Sequence, residues 1–223
     1  MPQELQIPTE LDIPAFISKE AHDLKSPFNP TLGFLKLVLK GMDGPISDQA
    51  RDDLTIVYFS AQYTLTMISA LVEAARLTRG ERSLSLTPLP VDYIVQQTIS
   101  EWKRKYHKEN PVEVTFTAPE IQIKAAESAF RQGLLYWLLY INEFAGGETN
   151  LEIKVEDRLS DVRFTLQSHG QTQPPPPECD LTLYGFAARK ITELHNGQVL
   201  RLEKTDDGAL VQFAIPKISN ANL

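Results

Sequence analysis

Between Leu54 and Ala75 the chain places Leu54, Tyr58, Ala61, Leu65, Ile68, Val72 and Ala75 at gaps that alternate four and three without a break. That is the seam of a helix packed lengthwise on another helix. It restricts what this chain can fold into more than any other feature. A second stripe lies upstream, within residues 12–40: Ile17, Ala21, Leu24, Phe28, Leu32, Leu35 and Leu39 recur at gaps of three and four. The stretch GMDGPIS between them, Gly41 to Ser47, reads as a turn, with Ser47 as the N-cap of the next helix and Gly80 as its stop. Two such helices form an antiparallel hairpin. One hairpin cannot cover both of its apolar faces, so a second copy is expected to complete a dimeric four-helix bundle.

After Gly80 the pattern changes to alternating strands and helices. Strands are expected at Ser83 to Leu89, Val112 to Phe116, Ile121 to Ile123, Leu151 to Val155 and Val162 to Gln167. A helix opened by Pro90 carries Val91, Ile94, Val95, Thr98 and Trp102 on one face. A longer helix runs from Ala125 to Phe144 and is closed by Gly146 and Gly147, and a third spans Leu181 to Leu194. The loop QTQPPPPECD is extended, because four prolines in a row cannot be helical. A terminal hairpin, Val199 to Glu203 and Ala209 to Ile215, turns at Asp206, Asp207 and Gly208. The fold class expected is therefore α+β: a helical hairpin over residues 1–80, then a two-layer α/β sandwich over 81–223.

Composition narrows the function classes. The 223 residues carry a net charge of -7 with scattered Lys and Arg, so nucleic acid is not an expected partner. No unbroken apolar run reaches the roughly 18 residues that span a bilayer, and MPQELQIPTELDIP lacks the basic end and apolar core of a signal peptide. A cytoplasmic location without a membrane partner is expected. The single cysteine, Cys179, excludes an intramolecular disulfide and a Cys-based zinc cluster and reads as an incidental loop thiol. His107, His169 and His195 are far apart and lack metal-ligand spacing, so no metal and no cofactor is expected.

His22 stands one residue off the apolar stripe. Its helical neighbours Ser18, Lys19, Lys25 and Ser26 are all polar, so its imidazole should face solvent. By itself this is an ordinary surface histidine. It sits, however, in AHDLKSPFNPTLGF, which resembles the H-box of sensor histidine kinases over His22, Asp23, Leu24, Lys25, Ser26, Pro27 and Phe28. The segment LTMISALVEAARLTRGERSLSLTPLPV resembles that family's second bundle helix and its run into the ATPase domain, and the likeness extends over about residues 12 to 216. The resemblance implies that His22 is a phosphoacceptor. A neutral imidazole nitrogen is a nucleophile near neutral pH. Asp23 would accept the ring proton or fix the tautomer, and Lys25 would offset phosphate charge. Ser26, four residues on, stands where family members with phosphatase activity carry a hydroxyl or amide that orients water. Pro27 fits the family. Pro30 is a second break, and both prolines should weaken or kink the helix beside His22.

The same resemblance implies an ATPase domain, and there the residues depart from it. RQGLLYWLLYINEFA, Arg131 to Ala145, stands where the family reads like RQVLLNLLSNAIKFT. The asparagine that ligates magnesium falls on Tyr140, the other asparagine on Tyr136, the lysine on Glu143, and Asn142 comes two positions late. A phenol does not replace an amide oxygen as a hard-cation ligand, and Glu143 would repel a triphosphate. The aspartate that binds adenine becomes Ser168, with only Gly170 left of that box. Pro174 to Pro177 replace the glycines of the lid, and Leu183, Tyr184, Gly185, Phe186 and Ala187 keep one glycine of a pair. His195, in a Glu193 to Gly197 helix end like the family's, reads as a structural cap.

An H-box kept beside lost nucleotide boxes is the pattern of histidine phosphotransferases of this build. The expected function is phosphoryl transfer between response regulators through His22, with a receiver domain as partner, a homodimer as the working form and no ATP. The alternative is a non-enzymatic pseudokinase that binds and regulates a response regulator or a kinase. A phosphatase using Ser26, and a kinase with an unusual nucleotide site, are the further readings. The chain starts a few residues before the first helix, so no sensor domain is expected, and any input would come from a partner or be absent.

Overall fold

Asp12 begins the described structure by capping the first helix: its carboxylate accepts from the Ala15 amide at 3.1 Å. In this computed structural model the described residues are 12–42, 44–81, 83–106, 111–143, 145–172, 182–205 and 208–217. Helix α1 spans Ile13–Leu39 and continues through Pro27 and Pro30, so neither proline ends it. Both remove an amide donor, which leaves the carbonyls of Asp23 and Ser26 without their intrahelical partners. Gly41, at φ 72°, reverses the chain after α1, and Met42 donates its amide back to the Leu37 carbonyl at 3.2 Å. Helix α2, Asp48–Thr78, opens at Ser47, whose hydroxyl accepts from the Ala50 amide at 3.2 Å, as the sequence predicts. It closes at Gly80, φ 66°.

The helices run antiparallel. Arg51 donates to the Leu39 carbonyl at 2.7 Å at the turn, and Arg79 lies 3.8 Å from Asp12 at the open end. The α2 seam residues Leu54, Tyr58, Ala61, Leu65, Ile68, Val72 and Ala75 are all half-buried or buried. On α1 the expected stripe needs two corrections: Lys25 replaces Leu24, and Ser18 takes the inner position while Ile17, also half-buried, turns toward the outer face. Leu24 is 54% exposed, while Ser18, Ala21, Lys25, Phe28, Leu32, Leu35 and Leu39 are covered. Those positions keep a four-three alternation, and Lys25 takes the place assigned to Leu24. The sequence offered Leu24 because it is apolar; the seam period selects Lys25 despite its charge.

Leu24 belongs to a second seam. Ile13, Ile17, Leu24, Thr31, Phe34 and Val38 on α1 share a face, as do Ile56, Tyr63, Met67 and Leu71 on α2. Ile13, Leu24, Phe34, Ile56, Tyr63, Met67 and Leu71 are exposed within one chain. Having two apolar faces also makes α2 long and apolar enough to cross a membrane by length and composition. The expected absence of an unbroken apolar run of that length holds, but α2 still reaches the threshold by mean composition. The expectation counted unbroken apolar residues, whereas residues 54–72 carry no charge and intersperse Ser, Thr, Gln and Tyr. Several of those hydroxyls are satisfied within the helix: Thr64, Thr66 and Ser69 each donate to the carbonyl four residues earlier.

The described residues divide into two compact units, the second beginning at Arg82. In it β1, Thr87–Pro90, pairs antiparallel with β3, Gln122–Ala125. Pro90 ends the strand rather than opening the helix, because the Val91 amide is held by the Ile121 carbonyl at 2.9 Å; α3 is Val91–Tyr106. The main sheet has the order β2-β4-β5-β7-β6. It comprises β2 (Val112–Phe116), β4 (Ala145–Asp157), β5 (Asp161–Thr172), β6 (Gln198–Thr205) and β7 (Gly208–Pro216). The β2–β4 pair is parallel and the others antiparallel. Helices α4, Glu127–Glu143, and α5, Leu183–Leu194, pack together against it. This is a two-layer α/β sandwich after a helical hairpin.

β4 and β5 outrun the expected strands. Gly146 and Gly147 lie in β4, not in a helix-ending turn, and the register shifts between Gly146 and Asn150. Pairing with β5 overrides the low strand propensity of these glycines. The core is aromatic: Phe164 stacks on Phe213 at 4.8 Å, Phe213 on Trp137 at 5.8 Å, and the Trp137 indole donates to Thr192 at 3.2 Å. The expected turn at Asp206 and Asp207, together with His107, Phe144, Cys179 and Pro174 to Pro177, lies outside the described residues, as does the Glu143 side chain.

Candidate functional site

His22 is held on α1 by a seam it does not join. Ala21, its neighbour, is buried, whereas the His22 side chain is 86% exposed. Asp23 is also exposed, and its carboxylate lies 3.6 Å from the His22 Nδ1. That separation exceeds a hydrogen bond but falls within electrostatic reach. Ser26 is exposed one turn further on. Pro27 and Pro30 cannot donate to the carbonyls of Asp23 and Ser26, one and four residues beyond His22.

Lys25 is placed differently from these three. It is half-buried in the seam toward α2, and burial, then the nearby Arg76 charge, holds its ammonium below the usual lysine range. Arg76 was not singled out from the sequence. A contact across a hairpin depends on its register, and the sequence carries no local sign of that. Among the described residues no cluster of three or more His, Cys, Asp and Glu side chains could hold a metal ion.

In the second unit, the residues at the expected nucleotide positions pack against one another. Tyr136 is buried, accepts from the Gln132 amide at 2.7 Å and lies 5.9 Å from the Tyr184 ring. Tyr140 reaches α5: a Cβ added at Gly185 would sit 3.0 Å from its Cδ2 and Cε2. Its ring also meets Trp137 edge-on at 5.8 Å. The Gly185 amide, which could face an anion at the start of α5, donates instead to the Thr182 hydroxyl at 3.1 Å. Ser168 is buried, and its hydroxyl accepts from the Ala209 amide at 2.9 Å. Gly208 packs so closely that an added Cβ would lie 1.9 Å from the Ser168 carbonyl oxygen. The β5 position expected to meet adenine is thus stitched to β7.

His195 is structural. It is buried, its Nδ1 lies 2.7 Å from the Ile191 carbonyl, and its Nε2 accepts from the Ala126 amide at 3.2 Å. The imidazole therefore carries its proton on Nδ1 and ties the end of α5 to the start of α4. His169 lies 3.8 Å from Glu152 on the neighbouring strand.

No family model matches the chain. It is 23% identical over 217 residues to the sensor protein KdpD of Clostridium acetobutylicum, a match covering 88% of this chain and 24% of the relative. It is 21% identical over 98 residues to the cell-division control histidine kinase PdhS of Brucella canis, covering 44% and 10%. The chain thus spans about a quarter or less of these curated relatives. Among solved structures, full-length ShkA in complex with AMPPNP superposes with a TM-score of 0.64 at 19% identity, over 94% of this chain and 47% of that one. The Acinetobacter baumannii histidine kinase AdeS gives 0.60 at 13%, over 89% and 98%. Histidine kinase ThkA, in complex with response regulator protein TrrA, gives 0.57 at 17%, over 95% and 68%.

Proposed function

We propose that this chain, which is similar to sensor histidine kinases in sequence and in its fold of a helical hairpin followed by an ATPase-like domain, is a histidine phosphotransferase that works without ATP. The carrying observation is a contrast. His22 is 86% exposed, while Tyr140, the Thr182–Gly185 hydrogen bond and the Ser168–Ala209 bond hold residues together where the resemblance expects nucleotide. In the transfer, the imidazole attacks the phosphorus of a receiver domain's aspartyl phosphate. An N–P bond forms, the O–P bond breaks, and the aspartate leaves as a carboxylate. Asp23 beside Nδ1 favours the tautomer with the proton there, so Nε2 carries the attacking lone pair. The reverse reaction delivers the group to a second receiver. Such transfer needs position and charge compensation more than covalent machinery. The structure of ThkA with a response regulator supports the choice of partner class.

The working form in this reading is a cytoplasmic homodimer. The exposed second seam, Ile13, Leu24 and Phe34 with Ile56, Tyr63, Met67 and Leu71, supports a second copy as its cover. The test incubates the protein with labelled phospho-regulators and follows acid-labile, base-stable label on this chain. Transfer lost in His22→Ala, with dimerisation intact, is the expected result. A regulator that binds but never transfers label would overturn the reading in favour of a pseudokinase that regulates by docking. Micromolar ATP binding by calorimetry would restore the kinase.

A further inference from the structure

We propose that the groove between α5, the C-terminal end of α4 and β6 binds a small planar organic anion of the aromatic carboxylate class. The groove holds about 260 Å³. Tyr140, Phe186 and Leu202 make it apolar, and Gly185 contributes no side chain to fill it. Arg189, Lys190 and Glu193 supply its charge. Lys190 is neutralised by Glu193 at 2.8 Å. Arg189 is exposed and makes no ion pair among the described residues. One guanidinium without an ion pair among the described residues therefore borders an aromatic recess, in a chain whose net charge is -7.

Size and charge together set the ligand class. The volume lies near the lower end of small-molecule sites, enough for one or two fused rings. The rings of Tyr140 and Phe186 favour a flat apolar body by stacking. A single guanidinium matches one carboxylate through two parallel hydrogen bonds. The described lining, Arg189 and Lys190 against Glu193, offers one net positive charge, which suits a single carboxylate better than a triphosphate. The site does not involve His22 or the hairpin, but it shares Tyr140 and Gly185 with the expected nucleotide positions and rests on the reading that these take no ATP.

The test titrates 1-naphthoate into the full chain by calorimetry, with 1-naphthalenemethanol as the neutral analogue and ATP as competitor. Two variants are used: Arg189→Gln, which removes the charge, and Leu202→Trp, which fills the recess. Naphthoate should bind, the neutral analogue and Arg189→Gln should each weaken binding at least about tenfold, and Leu202→Trp should abolish it with the melting temperature unchanged. No heat at millimolar naphthoate would overturn the proposal. So would equal binding by both variants, which would place the ligand on the hairpin's apolar face. Competition by ATP would reassign the groove to nucleotide.

Discussion

Met67→Asp separates the two seams of the hairpin, because Met67 lies on the outer one and is 43% exposed in a single chain. In the hairpin alone the aspartate stays hydrated. In a four-helix bundle it is buried. Keeping the carboxyl neutral there at neutral pH means raising its pKa about three units above the usual 3.9, a cost of roughly 4 kcal/mol. The methionine has under half its surface left to bury, so its loss adds about 1 kcal/mol. A two-fold interface counts both terms twice, giving roughly 10 kcal/mol, or about seven decades in the dimer dissociation constant. A carboxylate that reaches the rim would halve this and still weaken the dimer by about three to four decades. Light scattering at micromolar protein should show a dimer for the unmutated chain and a monomer for Met67→Asp, with helical circular dichroism unchanged. Leu65→Asp, on the inner seam, should lose helicity as well. A monomeric unmutated chain, or a Met67→Asp chain that stays dimeric, would refute the two-seam reasoning.

His22→Ala should abolish phosphoryl transfer while leaving the dimer and regulator binding intact, and Asp23→Ala should slow transfer without stopping it, both read by label transfer. Lys25 binds its proton more weakly folded than unfolded, so the unfolded chain holds more protons and stability rises with pH, from the lowered folded value toward the ordinary 10.5. Lys25→Met should flatten that rise in denaturant melts at stepped pH; comparison with the parent chain cancels Lys105, which is shifted the same way by burial. Gly208→Ala forces a methyl into the Ser168 carbonyl and should cost about 3 kcal/mol by urea unfolding.

The two-part fold was legible because its signals are periodic and local. Alternating gaps fixed α2 and its seam, Ser47 and Gly80 marked its ends, and the exposure of His22 followed from its polar neighbours. What escaped depended on partners distant in sequence. Lys25 lies in the seam because the period outweighs its charge, and the single apolar step at Leu24 concealed that. β4 reaches Ala145 through pairing with β5, which the glycines around it do not announce. At positions where the resemblance expects nucleotide ligands, the sequence carries Tyr140 and Ser168 instead. It did not show that they have found other work, the phenol on Gly185 and the hydroxyl on Ala209.

The contact of Tyr140 with Gly185 has a consequence for how such a chain could change. An asparagine at 140 would take away a ring packed on Gly185 and Trp137 and leave a gap, while Ser168 stayed tied to β7 and Thr182 still held the Gly185 amide. Any one of these changes loosens packing while the other ties remain, so opening the surface at Tyr140, Thr182 and Ser168 takes several changes together. The three contacts therefore act as a set: single changes cost stability, and only combined ones open the surface.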